Sequence, residues 1–265
     1  MVFPASCSLC GQELTEAGLV GVCRACWASL EPWGGPVCSC CGLPFASDRA
    51  LDSGQALCGL CRQETFGFDR ARSYGLYAGN LRAAILQLKF RRRERLGMKL
   101  GKLLASAWGW IEEAYPAELP VLVPVPLHSS RERERGFNQA ELLALGLSRG
   151  LSKAHGAVSP RVETRCLRRT RATPPQTGLS LRARRENVRG VFSAVRPERV
   201  RERLVVLVDD VMTTGATLSA CAQALKAAGA RAVLALTLAR ATPEFPAEAA
   251  PSLVTSVDDI GPAQP

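Results

Sequence analysis

The sequence predicts an α/β fold, a parallel sheet flanked by helices, preceded by a small cysteine-rich domain. Three observations carry that expectation. Apolar runs around Val121–Val123, Val205–Val208 and Ala232–Leu238 alternate with helical patterns, as strands buried on both faces of a parallel sheet do. Nine of the 11 cysteines crowd between Cys7 and Cys61. A glycine- and threonine-rich turn follows the second apolar run, where an open parallel sheet keeps its ligand site.

Taken in order, Ala71-Arg-Ser-Tyr-Gly-Leu-Tyr77 reads as an edge strand. Asn80 is a good N-cap for a helix whose Leu81, Ile85 and Leu88 share one face. A second helix, roughly Arg95 to Ala114, carries Leu100, Leu103, Leu104 and Ile111, with Trp108 in the core. The strand through Val121 ends at Pro124 and Pro126, since proline cannot continue a central ladder. Phe137 to Leu147 is helical. After Val205–Val208 a helix runs to Ala228 and stops at Gly229.

By composition the chain divides into 1–64, rich in Cys and Gly, then 65–241, the α/β region, then 242–265, a Pro- and Ala-rich tail expected to be loosely ordered. Its 265 residues, 47% hydrophobic, suffice for a packed core. The net charge of +10 suits phosphate-bearing partners, though a merely soluble arginine-rich chain reads the same way. No apolar stretch reaches the ~18 residues of a membrane span, and Met1-Val-Phe-Pro-Ala-Ser6 lacks the regions of a secretory signal. A cytoplasmic protein is the expectation.

Disulfides do not suit such a compartment, so the cysteines read as metal ligands. Cys7-x-x-Cys10, Cys23-x-x-Cys26, Cys38-x-x-Cys41 and Cys58-x-x-Cys61 are four knuckles at spacings that fit tetrahedral zinc, two ions in a double zinc ribbon. An iron–sulfur cluster is the rival centre. The spacing does not say whether the knuckles pair in order or interleave. Four thiolates leave no open coordination position, so the metal's role is structural; a ribbon that touches DNA or a partner protein is the sharper alternative. Cys40 is the spare thiol, and Cys166 and Cys221 read as core.

The chemistry concentrates in Asp209, Asp210, Val211, Met212, Thr213, Thr214, Gly215, Ala216 and Thr217. Gly215 permits positive φ and close backbone approach to an anion. Free amides at a helix start, with the hydroxyls of Thr213, Thr214 and Thr217, make a phosphate cradle. The two carboxylates repel phosphate and instead suit hydroxyls, Mg²⁺ or a cationic transition state. A ribose 5-phosphate satisfies both halves. A nucleotide-hydrolase reading needs a G-x-x-x-x-G-K-[ST] loop, and the nearest stretch, Gly97-Met-Lys-Leu-Gly101-Lys102-Leu, is one residue short and lacks the hydroxyl.

This segment resembles the phosphoribosyl-pyrophosphate (PRPP) signature of type I phosphoribosyltransferases. Leu86-Gln-Leu-Lys89-Phe-Arg, Val123-Pro-Val-Pro, Arg135-Gly-Phe-Asn-Gln and Arg169-Thr-Arg-Ala-Thr-Pro-Pro-Gln176, with Arg185-x-Asn187-Val, are similar to the ComF/GntX family, associated with natural competence and use of external DNA. The resemblance implies that Asp209 and Asp210 hold the ribose hydroxyls as catalytic residues and that Thr213–Thr217 hold the 5′-phosphate, with Mg²⁺ accompanying PRPP. It further implies a mobile hood over 165–190, carrying Arg171, Gln176, Arg185 and Asn187.

A pyrophosphate loop belongs after a different strand. Pro126, Leu127 and His128, followed by Arg131 and Arg135, are suitably placed; a solvated charge run with Glu132 and Glu134 is the plainer reading of those arginines. Two functions remain open on the sequence. One is transfer of phosphoribose from PRPP to an unidentified acceptor. The other is a non-catalytic PRPP-sensing factor of DNA uptake that binds single-stranded DNA, an uptake motor or a recombination protein. The hood arginines lack interleaved aromatics, which argues against a base-stacking groove.

Overall fold

The computed structural model describes residues 5–14, 20–45, 56–90, 93–116, 118–155, 159–172 and 181–242, with backbone alone at 90, 154, 155, 181, 182, 184 and 185. The expected tail from 243 onward lies outside them.

Four strands form one parallel sheet: β1 (Arg70–Leu76), β2 (Val121–Pro124), β5 (Leu204–Met212) and β6 (Ala232–Arg240), in the order β1-β6-β5-β2. β5 and β6 are the central pair, and both are buried almost throughout. That burial explains their unbroken apolar sequence, since neither face meets water. A separate antiparallel pair, β3 (Leu167–Arg169) and β4 (Phe192–Ala194), brackets helix α8 (Leu181–Val188).

β2 ends at Pro124, as expected, but it sits at the sheet edge. Its outer side is covered by the segment 161–163, where the Leu122 amide donates to Arg161 and the Glu163 amide donates to Leu122. The opposite edge, β1, is covered by the cysteine module: the Trp33 amide donates to the Tyr74 carbonyl, and Tyr74 Oη donates to the Leu30 carbonyl. Both outer edges of the four-stranded sheet thus carry backbone bonds to other segments of the chain, which blunts them as templates for a further strand.

Two helical expectations are revised. Helix α3 (Gly79–Phe90) begins at Gly79, and Asn80 lies inside it, its amide donating to Ser29 Oγ of the cysteine module at 2.7 Å. The 95–114 helix is three pieces: α4 (Glu94–Leu103), a 3₁₀ turn (Leu104–Ala107) and α5 (Gly109–Ala114). The break lets the chain follow the core, and Trp108 is buried at the joint.

The stretch that imitates a phosphate loop is a helix contact. Gly97 and Gly101 of α4 meet Leu142, Leu143 and Gly146 of α7 (Gln139–His155), and Gly150 meets Lys102 and Ala105. Glycines four apart on each helix bring the backbones together. A Cβ at Gly146 would sit 2.9 Å from Gly101 Cα. Gly146→Ala should therefore destabilise the protein by about 1–3 kcal/mol, read from the midpoint of urea unfolding. An unchanged midpoint would mean that the helices can separate at no cost.

Candidate functional site

The helices after β2 and β5 leave on opposite faces of the sheet. Leu143, Ala144, Leu147 and Leu151 of α7 pack in the layer with α3 and α4, while Leu218, Cys221, Ala222 and Leu225 of α9 (Ala216–Ala227) pack in the other. A parallel sheet opens a crevice at such a switch, beyond the carboxyl ends of its strands. The β2 and β5 ends are side by side there, tied by the Val125 amide donating to the Val208 carbonyl at 3.0 Å.

β5 runs further than its apolar core. Asp209 and Asp210 are residues of the strand, just short of the turn. The electrostatic neighbours of Asp209 include Arg169 of β3 and Cys221 of α9. Asp210 pairs with Lys89 at the end of α3, Nζ to Oδ2 3.0 Å, in the other layer. The alternation of a strand thus divides the twin acids between the two faces. Burial, and next the charge of Asp210, push Asp209 up to about 7. Burial works against the charge of Lys89, but the attraction of Asp210 outweighs it and raises the ammonium's pKa.

The shift of Asp209 has a sign that can be tested. Its folded pKa lies above the unfolded value, so the fold binds the proton more tightly, and stability falls as pH rises from ~4 towards 7, then levels off. Asp209→Asn removes that dependence. The variant should melt above wild type at pH 8, with the gap closing towards pH 4. Parallel melting curves across that range would contradict the assignment.

Gly215 has φ +79°, and a Cβ there would lie 2.8 Å from Met212 Cε and 3.1 Å from the Phe66 ring. Phe66 and Phe68 stack with ring centres 4.7 Å apart and floor the turn. Thr213 is exposed and Thr217 half-buried, whereas Thr214 is buried with Oγ1 accepting from the Ala216 amide at 3.4 Å. Val211 is half-buried, and Met212 and Ala216 are buried. The exposed side of the turn carries Thr213 at the start of α9, the kind of helix N-terminus at which an anion can be held.

Pro126, Leu127 and His128 follow β2 into the same end of the sheet. His128 caps α6 (Ser129–Arg135), its Nδ1 accepting from the Ser130 amide at 3.3 Å. Asn138 holds this loop from behind, donating to the Val125 carbonyl at 3.0 Å while accepting from the Ala140 amide. Arg131 is exposed and lies in the field of Arg169; Arg135 donates to Gln139 Oε1 at 2.9 Å. A cleft of about 800 Å³ separates Pro126, Leu127 and His128 on one wall from Arg165, Arg168 and Arg169 on the other. Residues Thr213–Thr217 do not line it.

Of the hood positions, Arg171 donates to the carbonyls of Asn187 and Arg189, which ties the ends of the β3–β4 connection together. Gln176 lies outside the described residues, as does the side chain of Arg185. Several cations at the site went unassigned in the sequence. They include Arg165 and Arg168 on the cleft wall and also Lys89, Arg169 and Arg240, the last of which donates to the Met212 and Thr213 carbonyls. Lys89 and Arg169 stand within the short motifs already noted, the one signal that could have found them.

The cysteines resolve the pairing question. Sulfurs of Cys7, Cys10, Cys23 and Cys26 lie within 4.8 Å of one another, and so do those of Cys38, Cys41, Cys58 and Cys61. The knuckles pair in order. Cys10 and Cys23 sulfurs are 3.7 Å apart, Cys41 and Cys58 sulfurs 3.6 Å, close to the ~3.8 Å edge of a tetrahedron with ~2.3 Å zinc–sulfur bonds. Backbone amides point at the sulfurs, Cys23 to Cys7 at 3.2 Å and Cys58 to Cys38 at 3.4 Å, which favours thiolates. Both sets fit structural zinc. Cys166 and Cys221 are fully buried in the core, as expected.

Comparison with known families agrees with this architecture. Residues 1–62 match the double zinc ribbon domain, and residues 144–262 match the phosphoribosyl transferase domain. The chain is 36% identical to DNA utilization protein YhgH of Escherichia coli over 236 residues, 86% of this chain and 99% of that one. It is 32% identical to competence protein F of Haemophilus influenzae, covering 83% and 91%, and 28% identical to competence protein ComFC of Bacillus subtilis, covering 83% and 84%. A solved regulatory enzyme of purine biosynthesis overlaps 53% of this chain and 25% of its own, at 25% identity and a TM-score of 0.32, too low to add to the argument. Fold and site define a double zinc ribbon joined to a phosphoribosyltransferase domain. The chain belongs to the ComF-type family of DNA utilization and competence proteins.

Among the described residues, no helix is long and apolar enough to cross a membrane.

Proposed function

We propose that the chain binds PRPP with its Mg²⁺ at the crevice beyond β5 and β2, and transfers the phosphoribosyl group in support of DNA utilization. The observation that carries this is the Gly215 turn at the start of α9, set directly after two carboxylates at a switch point of the sheet. Thr213, Thr217 and the α9 amides take the 5′-phosphate. Asp209 and Asp210 take the ribose hydroxyls. Pro126–His128, with Arg131 and Arg169, face the pyrophosphate.

Transfer of this kind develops positive charge on the ribose as pyrophosphate departs. The chain's part is to hold the reacting groups and balance that charge, with carboxylates beneath the sugar and cations towards the leaving group. Lys89 supplies the counter-charge to Asp210 through their 3.0 Å pair. Asp209 ionises near pH 7 in the empty site, so PRPP·Mg binding should strengthen as pH rises towards 7 and then flatten.

The test is release of pyrophosphate from isotope-labelled PRPP in the presence of bases, amines or nucleic acid ends, with calorimetric titration of PRPP·Mg alongside. Saturable binding with acceptor-dependent release supports the transferase. Binding with no release for any acceptor leaves the PRPP-sensing factor of DNA uptake, and no binding removes both.

A further inference from the structure

Arg240 closes β6 and is 3% exposed. Its Nη1 donates to the carbonyls of Met212, at 3.2 Å, and of Thr213, the residues that lead into the Gly215 turn. Its Nη2 lies 3.9 Å from Cys41 Sγ. Burial weighs against its charge, and the sulfurs of the second cysteine set offset that in part, Cys41 first. The arginine therefore bridges the backbone of the anion-binding turn and the second metal site.

The second knuckle is bonded directly to the sheet beside this bridge. The Ala71 amide donates to the Cys40 carbonyl at 2.8 Å, and Arg72 Nη1 donates to the carbonyls of Cys38 and Ser39. A Cβ at Gly42 would press on the Ala71 carbonyl, so the knuckle lies flat against β1. The first cysteine set packs in the other layer of the protein.

A buried guanidinium needs a counter-charge, and the carbonyls it holds supply only dipoles. Four thiolates around Zn²⁺ carry a net charge of about −2. We propose that Arg240 is a positioning residue for the phosphate turn, and that metal at Cys38, Cys41, Cys58 and Cys61 is what holds it in place. The second zinc then sets the anion affinity of the turn, and the first does not. This rests on the turn being the phosphate site proposed above. Coupling of this kind is reciprocal, so an occupied turn raises the affinity of the second site for zinc.

The experiment follows amide exchange by mass spectrometry, and zinc loss to a chromophoric chelator, in the full zinc-loaded chain. In wild type under chelator, amides 212–217 should lose protection in step with peptides spanning Cys38–Cys61, and not with those spanning Cys7–Cys26. Arg240→Met should speed exchange at 212–217 and loss of the second zinc, each at least ~10-fold, and weaken PRPP·Mg binding to a similar degree. Arg240→Lys keeps the charge and loses the fork, so it should restore zinc retention but not the protection of 212–217. Loop protection that is indifferent to the second zinc in wild type overturns the proposal, whether or not the variants fold. Uniform loss of protection across the Arg240→Met chain, unrepaired by Arg240→Lys, overturns it too. A wild type that holds zinc and loop as described yet ignores PRPP·Mg removes the PRPP reading and leaves the structural coupling intact.

Discussion

Asp209→Asn combined with Asp210→Asn should reduce PRPP·Mg affinity at least ~100-fold in calorimetric titration. Each change keeps the shape of the side chain and removes a charge. Charged hydrogen bonds contribute roughly 1.5–3 kcal/mol each, so losing two supports a factor of that size. The two positions are not equivalent. Asp209 sits in a field where burial and Asp210 already raise its pKa to about 7, so its single amide variant should fold well. Asp210 balances Lys89, whose side chain is 20% exposed, and its amide leaves that ammonium without a partner. The double variant should therefore also melt below Asp209→Asn, and Lys89→Met added to it should recover part of the loss. Unchanged affinity in the double variant would remove the carboxylates from the site.

Stripping the metals should have the second large effect. Structural zinc supplies roughly 10–16 kcal/mol of apparent binding energy in finger peptides, as much as the whole stability of an ordinary domain. Among its described residues the cysteine module has few core residues besides its ligands: Leu9, Val22, Leu30 and Ala56 are buried in it, with Cys7, Cys26, Cys38, Cys41 and Cys58. Metal analysis should give two zinc ions per chain, falling to one in Cys10→Ser with Cys23→Ser, and to one in Cys41→Ser with Cys58→Ser. The second pair should harm the sheet more, because its knuckle is bonded to β1 through Ala71 and Arg72. Limited proteolysis should open β1 in that variant first. A first-site variant that loses both metals would show the two sets to be one cooperative centre.

The periodicity of the sequence was sufficient for β2, β5 and β6, because residues buried on both faces must all be apolar whatever packs on them, but the three-residue strands β3 and β4 left no such signal. Helix breaks were less legible. The joint at Trp108 and the entry at Gly79 answer to the shape of the core and to Ser29, which local propensity does not report. Glycine spacing was also ambiguous. Gly97 and Gly101 fall short of a nucleotide loop in the sequence, but their role is visible only where α7 brings Gly146 against them.

The sequence alone picked out the threonine- and glycine-rich turn, the twin acids before it and the eight knuckle cysteines, since each is a short pattern defined by neighbours in the chain. Only the tertiary structure decided that Asp210 pairs with Lys89 while Asp209 turns to the other face of the sheet, that the knuckles pair in order, and that Arg240 ties the turn to Cys41. These are pairings between distant segments. A charge or a sulfur carries no mark of its partner in the linear chain, because attraction acts through space and its geometry exists once the sheet has formed.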